Sequence, residues 1–282
     1  MRVMLWTVGC LLLTFTGGAT AQTDTHPEFE VASIKPAAPD ARGMFIRRTP
    51  GGRVNITNMT LKELIVIAWR IQPFQISGGP AWLDSVHYDI AAKSEDSSKP
   101  SEMPLMLQSL LKDRFQLTLH RETKELPIYA LVMAKKDGKL GPRLTESKEG
   151  GCTPLDPSKG PPPPEPGKLP MLGCGGLFMQ PRLLRGVGVT IDRLIPMLSR
   201  LLGRTVVDKT GLTGKFDISM EWTPDEFQSM QLPPDLPKPP SAEPAGPSIF
   251  SALQEQLGLR LESQKGPVEI FVIDHAEKPS DN

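Results

Sequence analysis

Four histidines and a scatter of carboxylates are the residues of this chain that could do acid–base chemistry. They are His26, His87, His120 and His275. A catalytic triad needs a histidine between a nucleophile and an orienting acid, and its members need not be adjacent in sequence. His87 lies beside Tyr88 on an expected strand, His120 leads Arg121-Glu122 at a strand end, and His275 follows Asp274 near the C-terminus. None belongs to an H-E-x-x-H motif, and none has a second His or Cys at metal-ligand spacing. No G-x-S-x-G elbow occurs. Gly211-Leu212-Thr213-Gly214-Lys215 lacks the full phosphate-loop spacing, with Phe216 where the metal-binding hydroxyl belongs, so it reads as a turn. Asp208, Asp217 and Glu221 fit no calcium loop and read as a solvated face. Trp82, beside Gly78-Gly79-Pro80, either stacks on a ligand or belongs to the core, and core is the favoured reading.

The elements that would have to position these residues recur. Thr60-Leu61-Lys62-Glu63-Leu64-Ile65 parallels Thr190-Ile191-Asp192-Arg193-Leu194-Ile195. Tyr88-Asp89-Ile90 parallels Phe216-Asp217-Ile218. Leu107, Leu111, Phe115, Leu117 and Leu119 match Ile249, Leu253, Leu257, Leu259 and Leu261 at one offset, and Pro127 to Val132 falls on Pro267 to Val272. Four blocks in one order imply a duplication. In each copy a helix at 3.6 spacing is followed by a strand, a second helix and an alternating stretch that reads as a β-hairpin. Thr60 with Glu63 forms a capping box. Gly258 should close its helix in a left-handed conformation. Pro196, inside the helix begun at Thr190, should kink it or delay its start. Strands are also expected at Phe29 to Ile34, at Met44 to Arg48 and at Val54 to Ile56, the last two turned by Pro50-Gly51-Gly52. Their counterparts are Leu177 to Met179 and Arg182 to Leu184.

The expected fold is therefore α+β: two tandem modules, each a small mixed sheet with two helices on one face, in strand-helix-strand-helix-hairpin order. The first module spans 27–141 and the second 175–282. A Pro- and Gly-rich linker occupies 142–174, and a Pro-rich loop occupies 224–247 within the second module. The run Pro161 to Pro164 reads as a stiff polyproline spacer rather than a ligand for an aromatic groove.

Residues 1–21 carry a short basic start, an apolar run from Val3 to Phe15 and Ala19-Thr20-Ala21, the layout of a secretory signal peptide cleaved after Ala21. Removing it takes away one arginine and no acid, so a chain of 32 basic and 32 acidic residues stays close to neutral. That balance argues against nucleic acid or a membrane surface as the partner. No later stretch is apolar over membrane-spanning length. Cys152 and Cys174 are an even pair in an oxidising compartment and read as a disulfide.

The blocks Phe29 to Pro36, Ile76 to Leu83, Leu111 with Asp113-Arg114-Phe115, Leu119 to Thr123, Val207 to Gly214 and Val272 to His275 resemble the soil-associated family of secreted bacterial proteins, a domain of unknown function. The resemblance implies export and adds no catalytic residue or cofactor. Some members are fused to membrane-bound metallopeptidase sensors, which implies a sensing role outside the cytoplasm. Leu257-Gly258-Leu259 is also similar to the short N-terminal domain of secretins and TonB-dependent receptors, which binds proteins. The leading expectation is a non-catalytic binding protein of the bacterial envelope, periplasmic or secreted, whose partner is another envelope or extracellular protein. The alternatives are a hydrolase with a site assembled between the modules from His87, His120 and His275, and an extracytoplasmic sensor domain.

Overall fold

The computed structural model describes residues 27–49, 51–94, 100–148, 150–154, 169–180, 182–224 and 246–280. The signal segment, His26, the Pro161 to Pro164 run and most of 224–247 lie outside them. In chain order the elements are β1 (Phe29–Pro36), β2 (Phe45–Thr49), β3 (Arg53–Thr60), α1 (Leu61–Trp69), β4 (Ile76–Gly78), β5 (His87–Ser94), α2 (Met103–Arg114) and β6 (Thr118–Met133). They continue as β7 (Leu144–Glu146), β8 (Gly176–Gln180), β9 (Leu183–Val189), α3 (Ile191–Leu202), β10 (Val206–Asp208), β11 (Phe216–Glu221), α4 (Ile249–Ala252) and β12 (Leu259–His275). α4 runs on into one wide π-type turn, Leu253–Leu257.

The protein is α+β, with its strands in three sheets. Two outer sheets have the orders β1-β5-β3-β2 and β7-β11-β9-β8, and a central sheet has the order β10-β6-β12-β4. Both outer sheets are antiparallel throughout. Only the central sheet is mixed: β10 lies parallel to β6, and β4 parallel to β12. The mixed sheet is therefore one shared structure, not one per module. β7 lies within the stretch read as linker and pairs with β11.

The hairpins expected at Thr123-Lys124-Glu125 and Lys265-Gly266 are not there. β6 and β12 are single long strands that pair antiparallel with each other, from Leu259 opposite Met133 to His275 opposite Thr118. No residue of either expected turn has a positive φ. Gly266 lies flat in the ladder, where an added Cβ would stand 2.6 Å from Ile128 Cδ1. Its glycine thus serves close packing. Pro127 and Pro267 sit mid-ladder, beyond the reach of β10 and β4, so their missing N–H groups interrupt no outer pairing.

Local chemistry explains the helices. Thr60 Oγ1 accepts from Glu63 N–H while Glu63 Oε2 accepts from Thr60 N–H, so the capping box forms. Arg70 ends α1 in the left-handed region. Thr190 opens α3 without a side-chain cap, and Ser248 caps α4 through the Ser251 N–H. α3 does not start late: it begins at Ile191 and carries Pro196 inside. The Pro196 carbonyl accepts from Gln72 Nε2 at 3.1 Å, a bond between the two halves.

Each helix pair packs between an outer sheet and one end of the central ladder. The first core joins Leu64, Ile65, Leu107, Leu111 and Phe115 to Ile56, Ile90, Phe271 and Ile273. The second joins Leu194, Leu198, Leu253 and Leu257 to Leu184, Ile218, Leu131 and Leu259. β12 thus gives Phe271 and Ile273 to the first core and Leu259 to the second.

Candidate functional site

The β6/β12 ladder brings His120 and Asp274 together although they are 154 positions apart in sequence. His120 stands opposite Val272, and the ladder slips between Ile273 and His275, which places Asp274 against the imidazole. His120 Nδ1 lies 2.8 and 2.9 Å from the two Asp274 carboxylate oxygens. Its Nε2 lies 3.3 Å from Glu122 Oε1, and Lys124 Nζ is 2.8 Å from Glu122 Oε2. The hydrogen bond to Asp274, then that to Glu122, hold the His120 pKa above the ordinary histidine value. Lys124, then His120, hold Glu122 below the usual carboxylate value.

This geometry favours an imidazolium that donates from both nitrogens. A catalytic base keeps one nitrogen for the nucleophile's proton, and here both nitrogens face carboxylates. The cluster is an exposed, charged staple between the two longest strands. Because the folded pKa is raised, its contribution to stability is complete below the free-histidine value of about 6.5. It is lost as pH rises through the higher folded value. An NMR titration of the His120 ring should report that raised value, and Asp274→Asn should lower it. A His120 ring that titrates identically in both proteins would refute the pairing.

His275 follows Asp274 on β12, with its Nε2 2.9 Å from Glu277. His87 is far in topology: it lies on β5 opposite Thr60 in the first outer sheet. Its carbonyl accepts from Ala37 N–H. Trp82 sits in the 3₁₀ turn Ala81–Asp84, half-buried against the first core, with Lys278 Nζ 6.0 Å from its ring centroid. Cys152 and Cys174 form a disulfide with their Cα atoms 5.1 Å apart.

Two acids hold the backbone, Asp89 and Asp217, and Asp217 is half-buried in that role rather than part of a solvated face. Asp89 Oδ1 accepts from the N–H of Asn58, and Asp217 Oδ1 accepts from the N–H of Gly188, each at 2.8 Å. Asn58 and Gly188 are left-handed, with φ of 56° and 61°. They sit two residues before Thr60 and Thr190, the N-cap residues of α1 and α3, where the β3/β5 and β9/β11 ladders slip register. The signal was present in the aligned Tyr88-Asp89-Ile90 and Phe216-Asp217-Ile218 blocks. An acid kept in both, beside a residue that tolerates positive φ, marks a bulge. Asp208 likewise accepts from Thr210 N–H and shapes the turn after β10.

Two shallow concavities of mixed charge lie beside the C-terminal end of α2. A groove of about 200 Å³ between β1 and α2 is lined by Glu28, Phe29, Ser109, Asp113 and Arg114. It adjoins a depression of about 450 Å³ bordered by Asp113, Arg114, Gln116, Glu277 and Lys278. Ligand pockets are typically predominantly apolar, with a few convergent polar groups.

Three consecutive exposed apolar residues lie elsewhere, on β2 and the residue before it. Met44, Phe45 and Ile46 are 53%, 58% and 38% exposed. Among the described residues β2 is an edge strand, paired only with β3. Asn58 Nδ2 lies 3.3 Å from the carbonyls of both Ala41 and Gly43, so the segment leading into the edge is held. β8 has the same place in the second outer sheet, yet Leu177 and Met179 there are half-buried against the second core.

One protein-family model, described as a protein of unknown function (DUF3738), matches residues 62–276. Comparison with curated proteins and with solved structures gives no match.

Proposed function

The chain belongs to the DUF3738 family of proteins of unknown function, and from that starting point we propose that it is an exported, non-catalytic binding protein of the bacterial envelope whose partner is another protein. The observation that carries this reading is the open edge of the first outer sheet among the described residues, with Met44, Phe45 and Ile46 all exposed in succession along it. Natural sheets shorten, charge or cover their edges, and an apolar one left open is a surface for another chain.

The proposal includes the two-copy architecture. Three observations support it: the matching strand orders of the outer sheets, the two Asp-held left-handed bulges and the reciprocal long strands of the centre. Each copy gives its long strand to one shared sheet, so the copies form a single body rather than beads on a linker. Export after cleavage of residues 1–21 is part of the same reading, and the Cys152–Cys174 bond fits an oxidising compartment.

The test is purification of the mature chain (Gln22 to Asn282) from the periplasm of its host, followed by mass spectrometry. A stoichiometric envelope protein is the expected result. A co-purifying small molecule or glycan in place of a protein would overturn the reading and return attention to the histidines.

A further inference from the structure

We propose, resting on the interaction reading above, that β2 is a strand-addition site for an extended segment of another protein in which apolar pairs and acidic pairs alternate. Strand addition uses the unpaired backbone groups of an edge for affinity and the alternating side chains for selection. β2 offers both.

The charge is local. Residues 41–55 contain Arg42, Arg47, Arg48 and Arg53 and no acid, in a chain whose basic and acidic residues balance at 32 each. All four arginines are exposed. The register divides them between the two faces. Arg47 stands opposite Asn55 and Thr49 opposite Arg53, so Phe45, Arg47, Thr49 and Arg53 share the outer face. Ile46 and Arg48 stand opposite Ile56 and Val54, on the face that continues into the core. An incoming strand therefore meets an aromatic beside a cation on one face and an aliphatic beside a cation on the other. Carboxylates opposite the arginines and apolar side chains opposite Phe45 and Ile46 satisfy both faces.

A second copy of this chain fits poorly. Antiparallel self-pairing centred on the strand would set Arg47 against Arg47 and Ile46 against Arg48, and like charges directly opposite are destabilising. The edge is also pre-shaped. Gly43 has φ of 75°, and its missing Cβ would lie 2.7 Å from the Phe45 ring, so the ring rests over the Gly43 backbone. Little ordering remains to oppose binding.

The test uses the whole mature protein and three labelled ten-residue peptides: a Glu/Val peptide repeating Val-Val-Glu-Glu, a Lys/Val peptide repeating Val-Val-Lys-Lys, and a Glu/Ser peptide repeating Ser-Ser-Glu-Glu. The Glu/Val peptide should bind at least tenfold more tightly than either of the others and weaken as salt rises. Hydrogen exchange should show new protection confined to the β2 amides. Phe45→Lys combined with Arg47→Glu, both at exposed positions, should abolish that protection. No binding of the Glu/Val peptide, protection on another element, or equal binding of the Glu/Ser peptide (a bare anion patch) would each overturn the site. So would undiminished capture of the envelope partner by the double variant, which would leave the broader interaction reading standing. Loss of any envelope partner from the wild-type protein, with the peptide still protecting β2, would sink the broader reading alone.

Discussion

Phe115→Ala should destabilise the protein by about 3–5 kcal/mol, the range for deleting a buried aromatic ring, and a denaturant titration should show it as a fall in midpoint with little change in slope. Phe115 closes α2 and is fully buried. Its ring meets that of Tyr88 edge to face, with centroids 5.1 Å apart and an interplanar angle of 88°. The walls around it cannot easily collapse into the space it would leave. Tyr88 is fixed on β5 between β1 and β3. Leu111 lies one turn back, and Leu117 begins the run into the central ladder. The Phe115 carbonyl also accepts from the Glu277 N–H, tying the C-terminal tail to this spot. The partner ring brings a liability: the Tyr88 hydroxyl is buried with no hydrogen-bond partner among the described residues. Burial accordingly pushes its pKa up. Because Phe271 and Ile273 join the same core from β12 while Leu259 of that strand serves the other core, unfolding should stay a single transition in the variant. Two separated transitions would show that the central ladder does not couple the cores, and a loss under 1 kcal/mol would contradict the packing of the ring.

What could be read from the sequence followed from periodicity and punctuation. The capping box at Thr60, the left-handed Gly258 and the buried stripe Leu107, Leu111, Phe115 were legible because a helix repeats its environment every 3.6 residues and ends in known ways. The same logic failed at the long strands. Thr123-Lys124-Glu125 and Lys265-Gly266 are polar and carry a glycine, which is what a turn looks like locally. Their partner is not the adjacent stretch but the other long strand, 126 positions away where Leu259 faces Met133 and 157 where His275 faces Thr118, and no local pattern encodes a partner so remote. The histidine cluster was hidden for the same reason. His120 and Asp274 were each noted, but only the cross-strand register makes them a pair. His87 looked equivalent to them in sequence and belongs to a different sheet. The open edge was expected as a strand, Met44 to Arg48. Its exposure depends on which side of β3 it joins, and that is decided by tertiary order.

Replacing both cysteines, Cys152→Ser with Cys174→Ser, should remove about 3 kcal/mol, the chain-entropy value for a loop of this length. The bond spans a sequence separation of 22. Its surroundings argue that the folded geometry survives without it. Cys174 N–H donates to the Thr153 carbonyl, and Gly175 N–H donates to the Val187 carbonyl, so backbone bonds already hold the ends of the loop. Gly188, where an added Cβ would lie 3.4 Å from Cys152 Sγ, is held independently by Asp217. Asp217 also accepts from the Ser147 hydroxyl, which anchors the segment leading to Cys152. The cross-link therefore acts mainly on the unfolded chain, by forbidding the open loop, and its loss should slow folding more than it speeds unfolding. Stopped-flow kinetics of the oxidised and double-serine proteins would separate the two rates. If the whole loss appeared as faster unfolding, the bond would instead be restraining native structure, and β8, the outermost strand joined to that loop, would be the element it holds. Hydrogen exchange on Leu177 to Met179 decides between these: unchanged protection relative to the second core goes with the unfolded-state account, and selective fraying of β8 goes against it.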